Sequence, residues 1–146
     1  MREIYFRAKR EDDNQWVYGD LTHVRRIVEN GTKPQVRVAG YNVLEDTVGQ
    51  DTGLKDKFGT TIFEGDYLRT EIGTIRITEY RNGAYMSIDP RYLGKENEEV
   101  HSFVLFPQMT KYATVVGNRF DEQYPSKIDP IEELNEIEPL QFFCND

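Results

Sequence analysis

With 146 residues, a mass of 17.1 kDa and a single cysteine, Cys144, the chain is one domain's worth; that length buries roughly 68–70% of the unfolded surface without a disulfide or metal, and a lone thiol fits a reducing cytosol. The longest apolar run, Phe103-Val104-Leu105-Phe106, falls far short of the roughly 18 residues of a membrane span, and the opening MREIYFRAKR has no apolar signal stretch, so a membrane protein, a disulfide scaffold and a multidomain machine are all excluded. Val, Ile, Thr, Tyr, Phe and Trp number 50 of 146 against 15 for Ala, Leu and Met, which favours β structure, and the net charge of −8 is mostly a tail: residues 1–120 carry 17 basic and 18 acidic side chains, residues 121–146 one and eight.

Residues 2–8 alternate, with Ile4, Phe6 and Ala8 on one face and Glu3, Tyr5 and Arg7 on the other, which predicts a half-buried strand. The polar run at 9–15 is a turn into a second strand, Trp16-Val17-Tyr18, ending at Gly19-Asp20. A third segment, Leu21–Val28, breaks at Glu29-Asn30-Gly31, where Asn-Gly favours a tight turn, and residues 35–41 alternate again. From Val43 to Gly65 turn residues dominate: Asp56-Lys57-Phe58-Gly59 reads as a type I turn closed by Gly59, and Glu64-Gly65-Asp66 as a second turn feeding the strand Tyr67–Thr70. The hairpin at 74–89 is the sharpest local pattern. Asn82-Gly83 as a two-residue turn sets Tyr80 opposite Tyr85, Thr78 opposite Ser87 and Ile77 opposite Ile88, and then Ile75, Ile77, Met86 and Ile88 share one face. A charged loop at Gly94–Glu99 precedes apolar strands at His101–Phe106 and Tyr112–Gly117. In the tail, Asp129 as N-cap, Pro130 and Glu132 predict a short helix with Ile131, Leu134 and Ile137 on one stripe, stopped by Pro139.

Three stretches carry a resemblance: Arg2–Ala8 followed by Trp16–Asp20, the distinctive block Val48–Asp66, and Val115-Val116-Gly117-Asn118. In order and content they resemble the YopX family of small bacteriophage and prophage proteins. The resemblance implies a β-rich chain with an SH3-like barrel component in the cytoplasm of a bacterial host, and it brings no catalytic residues. The motif positions are Gly53, Leu54, Lys55, Asp56, Gly59, Ile62, Glu64, Gly65 and Asp66; turn geometry accounts for their glycines and aspartates, the alternative being a recognition loop. The expected fold is mainly β and antiparallel: a strand-rich part at 1–50, an SH3-like small barrel at 51–120, and an acidic tail with a short helix at 121–146.

Catalysis and cofactors find no support in residue spacing. The histidines are His23 and His101 alone, too few for a ligand set; Ser87, Ser102 and Ser126 lack a nucleophile-elbow context; and no phosphate-loop pattern occurs. No enzyme activity, cofactor or metal is expected. Binding remains. Unpaired barrel edges and a marginal amphipathic helix favour a protein partner, a second copy of the chain or a host or phage protein, with a homo-oligomer expected. The alternative is nucleic acid, held by a patch of Arg7, Lys9, Arg10, Arg25 and Arg26 with Tyr5, Trp16 and Tyr18 as stacking platforms, since residues 1–40 hold eight basic and six acidic side chains.

Overall fold

The computed structural model describes residues 1–121, so the expected tail helix lies outside the described residues. The chain divides into two units, Met1–Gly53 and a second beginning at Leu54; the expected boundary was at 50/51.

In the first unit, β1 (Phe6–Lys9) and β2 (Trp16–Gly19) form the expected hairpin, with Arg7 opposite Tyr18 and Lys9 opposite Trp16. Its turn is closed by Arg10 N donating to Gln15 O at 2.9 Å and Asn14 N to Arg10 O at 3.1 Å. The first strand is shorter than the alternation predicts, and Ile4, which precedes it, is exposed. β3 (Leu21–Val28) and β4 (Gly31–Val38) make an eight-residue antiparallel ribbon, extended by the short β5 (Tyr41–Asn42). The tight turn lies one residue earlier than Asn-Gly suggests: Glu29-Asn30 is the connection, and Gly31 already pairs with Val28. Ala39 and Gly40, at φ 54° and 82°, supply the left-handed pair that folds β5 back on β4. Ala8, Val36, Val38 and Val43 are buried together, with Phe6, Val17, Leu21 and Val48 around them.

β6 (Gly49–Lys55) is the strand that the sequence concealed. Gly49, Asp51 and Gly53 spell turns, yet its first residues pair with β1 (Phe6 with Gln50, Arg7 with Gly49), and Asp51 N donates to Tyr5 O at 2.8 Å. Tertiary pairing overrides local propensity here.

The second unit contains β7 (Thr61–Phe63), β8 (Asp66–Arg69), β9 (Ile75–Arg81), β10 (Ala84–Ile88), β11 (Ser102–Val104), the one-turn helix α1 (Pro107–Thr110) and β12 (Thr114–Asn118). Five of these strands form an antiparallel sheet in the order β11-β10-β9-β8-β12. The β9–β10 register is the one the Asn82-Gly83 turn dictates, with Tyr80 against Tyr85, Thr78 against Ser87 and Ile77 against Ile88. Tyr67 and Leu68 are neighbours on β8 and both are buried, one in each of two clusters, so the middle of the sheet is covered on both faces. One cluster is Tyr67, Ile75, Ile77 and Ile88; the other is Ile62, Leu68, Leu105 and Ala113. Each such fully buried aliphatic side chain contributes about 1.5–3 kcal/mol. β11 and β12 end the sheet on opposite sides and do not pair with each other, so the described residues form an open sheet and not a closed barrel.

Candidate functional site

The distinctive 53–66 block is chiefly a set of fastenings. Asp56 is buried; its Oδ1 accepts from the backbone N–H groups of Phe58 (2.8 Å) and Thr60 (2.9 Å), and its Oδ2 from Val115 N on β12 (2.9 Å). Burial pushes the carboxyl up, but the N–H groups of Val115, Thr60 and Phe58, with the Thr60 hydroxyl, outweigh it and hold Asp56 below the ordinary carboxylate value. Gly59, at φ 81°, completes the turn, and Lys57 N donates to Ala113 O at 2.9 Å. One carboxylate therefore ties the 56–60 turn to the strand that starts at Thr114. Asp66, almost wholly buried, accepts from Phe63 N at 2.8 Å, and Gly65, at φ 89°, lies so close to Phe120 that a Cβ would come within 2.8 Å of its ring. Leu54 and Ile62 pack in one cluster, Lys55 Nζ donates to Thr61 Oγ1 at 3.2 Å, and a Cβ on Gly53 would meet the Arg2 guanidinium at 2.8 Å. Glu64 acts at a distance: with Glu98 it raises the pKa of Glu79.

The expected basic patch does not form one surface. Arg7 is buried with its guanidinium 4.8 Å from the centre of the Trp16 ring, the Lys9 ammonium is 5.5 Å from it, and Trp16 itself is half-buried, so it is not an open platform. Alternation along β1 puts Arg7 on an outer face, but the residue is buried with its guanidinium against the Trp16 ring. Arg25 is spent along the β3–β4 ribbon, donating to Thr32 Oγ1 (2.8 Å) and Thr32 O (3.1 Å). Arg10 and Arg26 do converge, in an open cavity of about 490 Å³ that Arg37, Tyr41 and Asn42 also line. There Arg10 grips Asp12 (2.8 Å) and lies 4.2 Å from the centre of the Tyr41 ring, Arg26 meets Glu11 (2.8 Å), and Arg37 Nε donates to Asn42 Oδ1 (2.8 Å). Arg37, Tyr41 and Asn42 escaped the sequence reading, although the Ala39-Gly40 step marks the turn that returns Tyr41 and Asn42 alongside Arg37 and Val38.

Two surfaces of the second unit are less self-satisfied. At one end of the sheet, β11 exposes Phe103 and Val104 (41% and 54%), flanked by exposed Val100 and Phe106. Arg76 holds this edge from behind, donating to Ser87 Oγ, Ser87 O and His101 O at 2.8–3.0 Å, with its guanidinium 4.6 Å from the centre of the Phe103 ring. The second surface is an open cleft of about 540 Å³ lined by Lys57, Arg69, Lys111 and Tyr112 among others. Elsewhere in this unit Glu79 is buried: burial pushes its carboxyl up, Arg119 and Arg81 pull it down without prevailing, and Glu64 and Glu98 add to the rise. Arg119 Nε is 3.1 Å from Glu79 Oε2, a charge contact without hydrogen-bond geometry. Among the described residues no group of three or more His, Cys, Asp or Glu could hold a metal ion, and no helix is long and apolar enough to cross a membrane.

Strand content, antiparallel pairing and fastened turns define a mainly β protein whose chain falls into two units. The family model described as YopX protein matches residues 5–122, and the chain belongs to that family. No curated protein matches it. Among solved structures it is similar to the crystal structure of protein EF1440 from Enterococcus faecalis, at 16% identity over 80% of this chain and 92% of that one, with a TM-score of 0.44.

Proposed function

We propose that this protein is a non-catalytic phage or prophage accessory protein of the bacterial cytoplasm that acts by binding another protein, at the β11 edge of its second unit. The observation that carries this reading is the apolar, exposed Phe103-Val104 pair on a strand that ends the sheet order. Sheet ends present unpaired backbone donors and acceptors, and a partner strand laid there gains both those bonds and the apolar contact. Arg76 keeps Phe103 oriented, which lowers the ordering cost of binding. The five short antiparallel strands of this sheet support an SH3-like description of the second unit, and the same edge would serve a homo-oligomer if the partner is a second copy.

The test is retention of partners from nuclease-treated bacterial lysate by the tagged full chain and by a Val104→Lys variant. The reading expects at least one protein held by the wild type and lost from the variant while circular dichroism stays unchanged. Equal retention by both, or none by either, contradicts it.

A further inference from the structure

The cleft of the second unit differs from the arginine cavity of the first in one respect that decides its chemistry. It is formed where three turns meet: Lys57 on the turn fastened by Asp56, Arg69 at the end of β8, and Lys111 and Tyr112 where α1 runs into β12. Against these three cations the lining contributes one acid, Glu71. Among the described residues neither Lys57, Arg69 nor Lys111 has an acidic partner within 4 Å. Unneutralised cations gathered on one concave surface raise the local positive potential and attract anions, whatever the net charge of the whole chain.

Exposed aromatic rings stand beside two of the cations, Tyr112 in the cleft lining itself and Phe58 next along the chain from Lys57. Phe58 is 71% exposed and Tyr112 51%, and each has a lysine ammonium beside it, Lys57 at 5.2 Å from the Phe58 ring centre and Lys111 at 5.0 Å from that of Tyr112. An acidic peptide would use the ammonium groups and gain little from two large solvent-facing rings. Flat bases attached to a phosphate chain use both. The backbone around the cleft is fixed: Lys57 N bonds Ala113 O, Tyr112 N donates to Met109 O at 3.2 Å, and Thr70 and Thr74 close the β8–β9 turn through a 2.6 Å hydroxyl contact.

We propose that this cleft binds single-stranded nucleic acid without sequence preference, with Lys57, Arg69 and Lys111 on the phosphates and Phe58 and Tyr112 stacking on bases. The Asp56 clamp is then a positioning device: it sets Lys57 and Phe58 beside Lys111 and Tyr112. This site is separate from the β11 edge and does not depend on it.

The experiment is fluorescence anisotropy of the full chain with labelled oligo-dT and oligo-rU of about 12 nucleotides, a length within the span of a small β binding surface, over about 50–200 mM salt. Three phosphate contacts predict a slope of log affinity on log salt of about −2, since each contact to a single strand contributes about −0.7. Lys57→Ala with Lys111→Ala lowers the slope to about −0.7 and the affinity at low salt by at least about tenfold. Tyr112→Ala weakens binding about tenfold without changing the slope, because stacking releases no counterions. Arg26→Ala, in the first unit's cavity, leaves both unchanged. The proposal is overturned if no single strand binds at the lowest salt, if binding is indifferent to the Lys57 and Lys111 changes, or if polyglutamate competes as well as the oligonucleotide does.

Discussion

The chain builds two basic concavities and treats them in opposite ways. In the first unit Arg10 and Arg26 each meet a carboxylate, Arg37 bonds an asparagine, and the cations serve to hold strands and turns together. In the second unit Lys57, Arg69 and Lys111 line a cleft without acidic partners among the described residues. The count of basic residues is equal, three against three. What separates a structural cluster from a binding surface is whether the fold has already neutralised the charge, and that depends on which acids the turns bring near.

The comparison breaks most sharply at Asp56. Removing it leaves the N–H groups of Phe58, Thr60 and Val115 without their acceptor and detaches the turn that carries Lys57. Asp56→Ala is expected to cost about 3 kcal/mol, read as a lowered urea midpoint, and to weaken oligonucleotide binding along with stability. The matching change in the first unit, Arg26→Ala, loses a half-exposed ion pair and is expected to cost no more than about 1 kcal/mol.

Glycines sharpen the comparison within the fastened block. Gly65→Ala must adopt φ 89° and displace the Phe120 ring, whereas Gly59→Ala meets the same backbone penalty at φ 81° in open space. The first should cost about 2–3 kcal/mol and the second about 1 kcal/mol, measured by thermal unfolding of the two variants side by side. Equal losses would show that the Phe120 contact carries no weight.

Acid–base behaviour gives a smaller effect of opposite sign at two buried carboxylates. Asp56 has its pKa lowered on folding, so its contribution is present above the ordinary carboxylate value and is lost as pH falls through the folded one. Glu79 has its pKa raised: the folded state holds the proton more readily than the unfolded chain, so its contribution is present at acid pH and is lost as pH rises through the raised value. Glu79→Gln removes that loss. The variant should gain on the wild type in stability as pH rises above the ordinary glutamate value, followed by urea unfolding across a pH series; a variant that loses ground instead would show that attraction to Arg119 and Arg81 outweighs burial.

How far these features were legible in the sequence depends on how local they are. The β9–β10 register was readable because Asn82-Gly83 and the alternation around it specify one answer together. β6 was hidden because its glycines and Asp51 favour turns and only pairing with neighbouring strands makes it a strand. Arg7, Lys9, Arg10, Arg25 and Arg26 looked like one patch because they crowd two short stretches, yet strand pleating and ion pairing send them to Trp16, the β3–β4 ribbon and the cavity. The cleft had the opposite problem. Lys57, Arg69 and Lys111 are far apart in the chain and are joined by the Asp56–Val115 bond and the pairing of Arg69 with Thr114, which no local pattern announces. The exposed Phe58 beside Lys57 in a turn was the one available signal, since an aromatic ring has no structural reason to stand at a turn tip.

The central claim is that cations of the first unit stabilise while those of the second bind, and it is tested most directly by measuring the melting temperature and the oligonucleotide affinity of the same two proteins, Arg26→Ala and Lys57→Ala/Lys111→Ala. The account predicts a double dissociation: the first loses stability and keeps its affinity, the second keeps its melting temperature and loses affinity. If the Arg26 variant loses affinity, or the lysine variant binds as the wild type does, the division of labour between the two concavities is wrong.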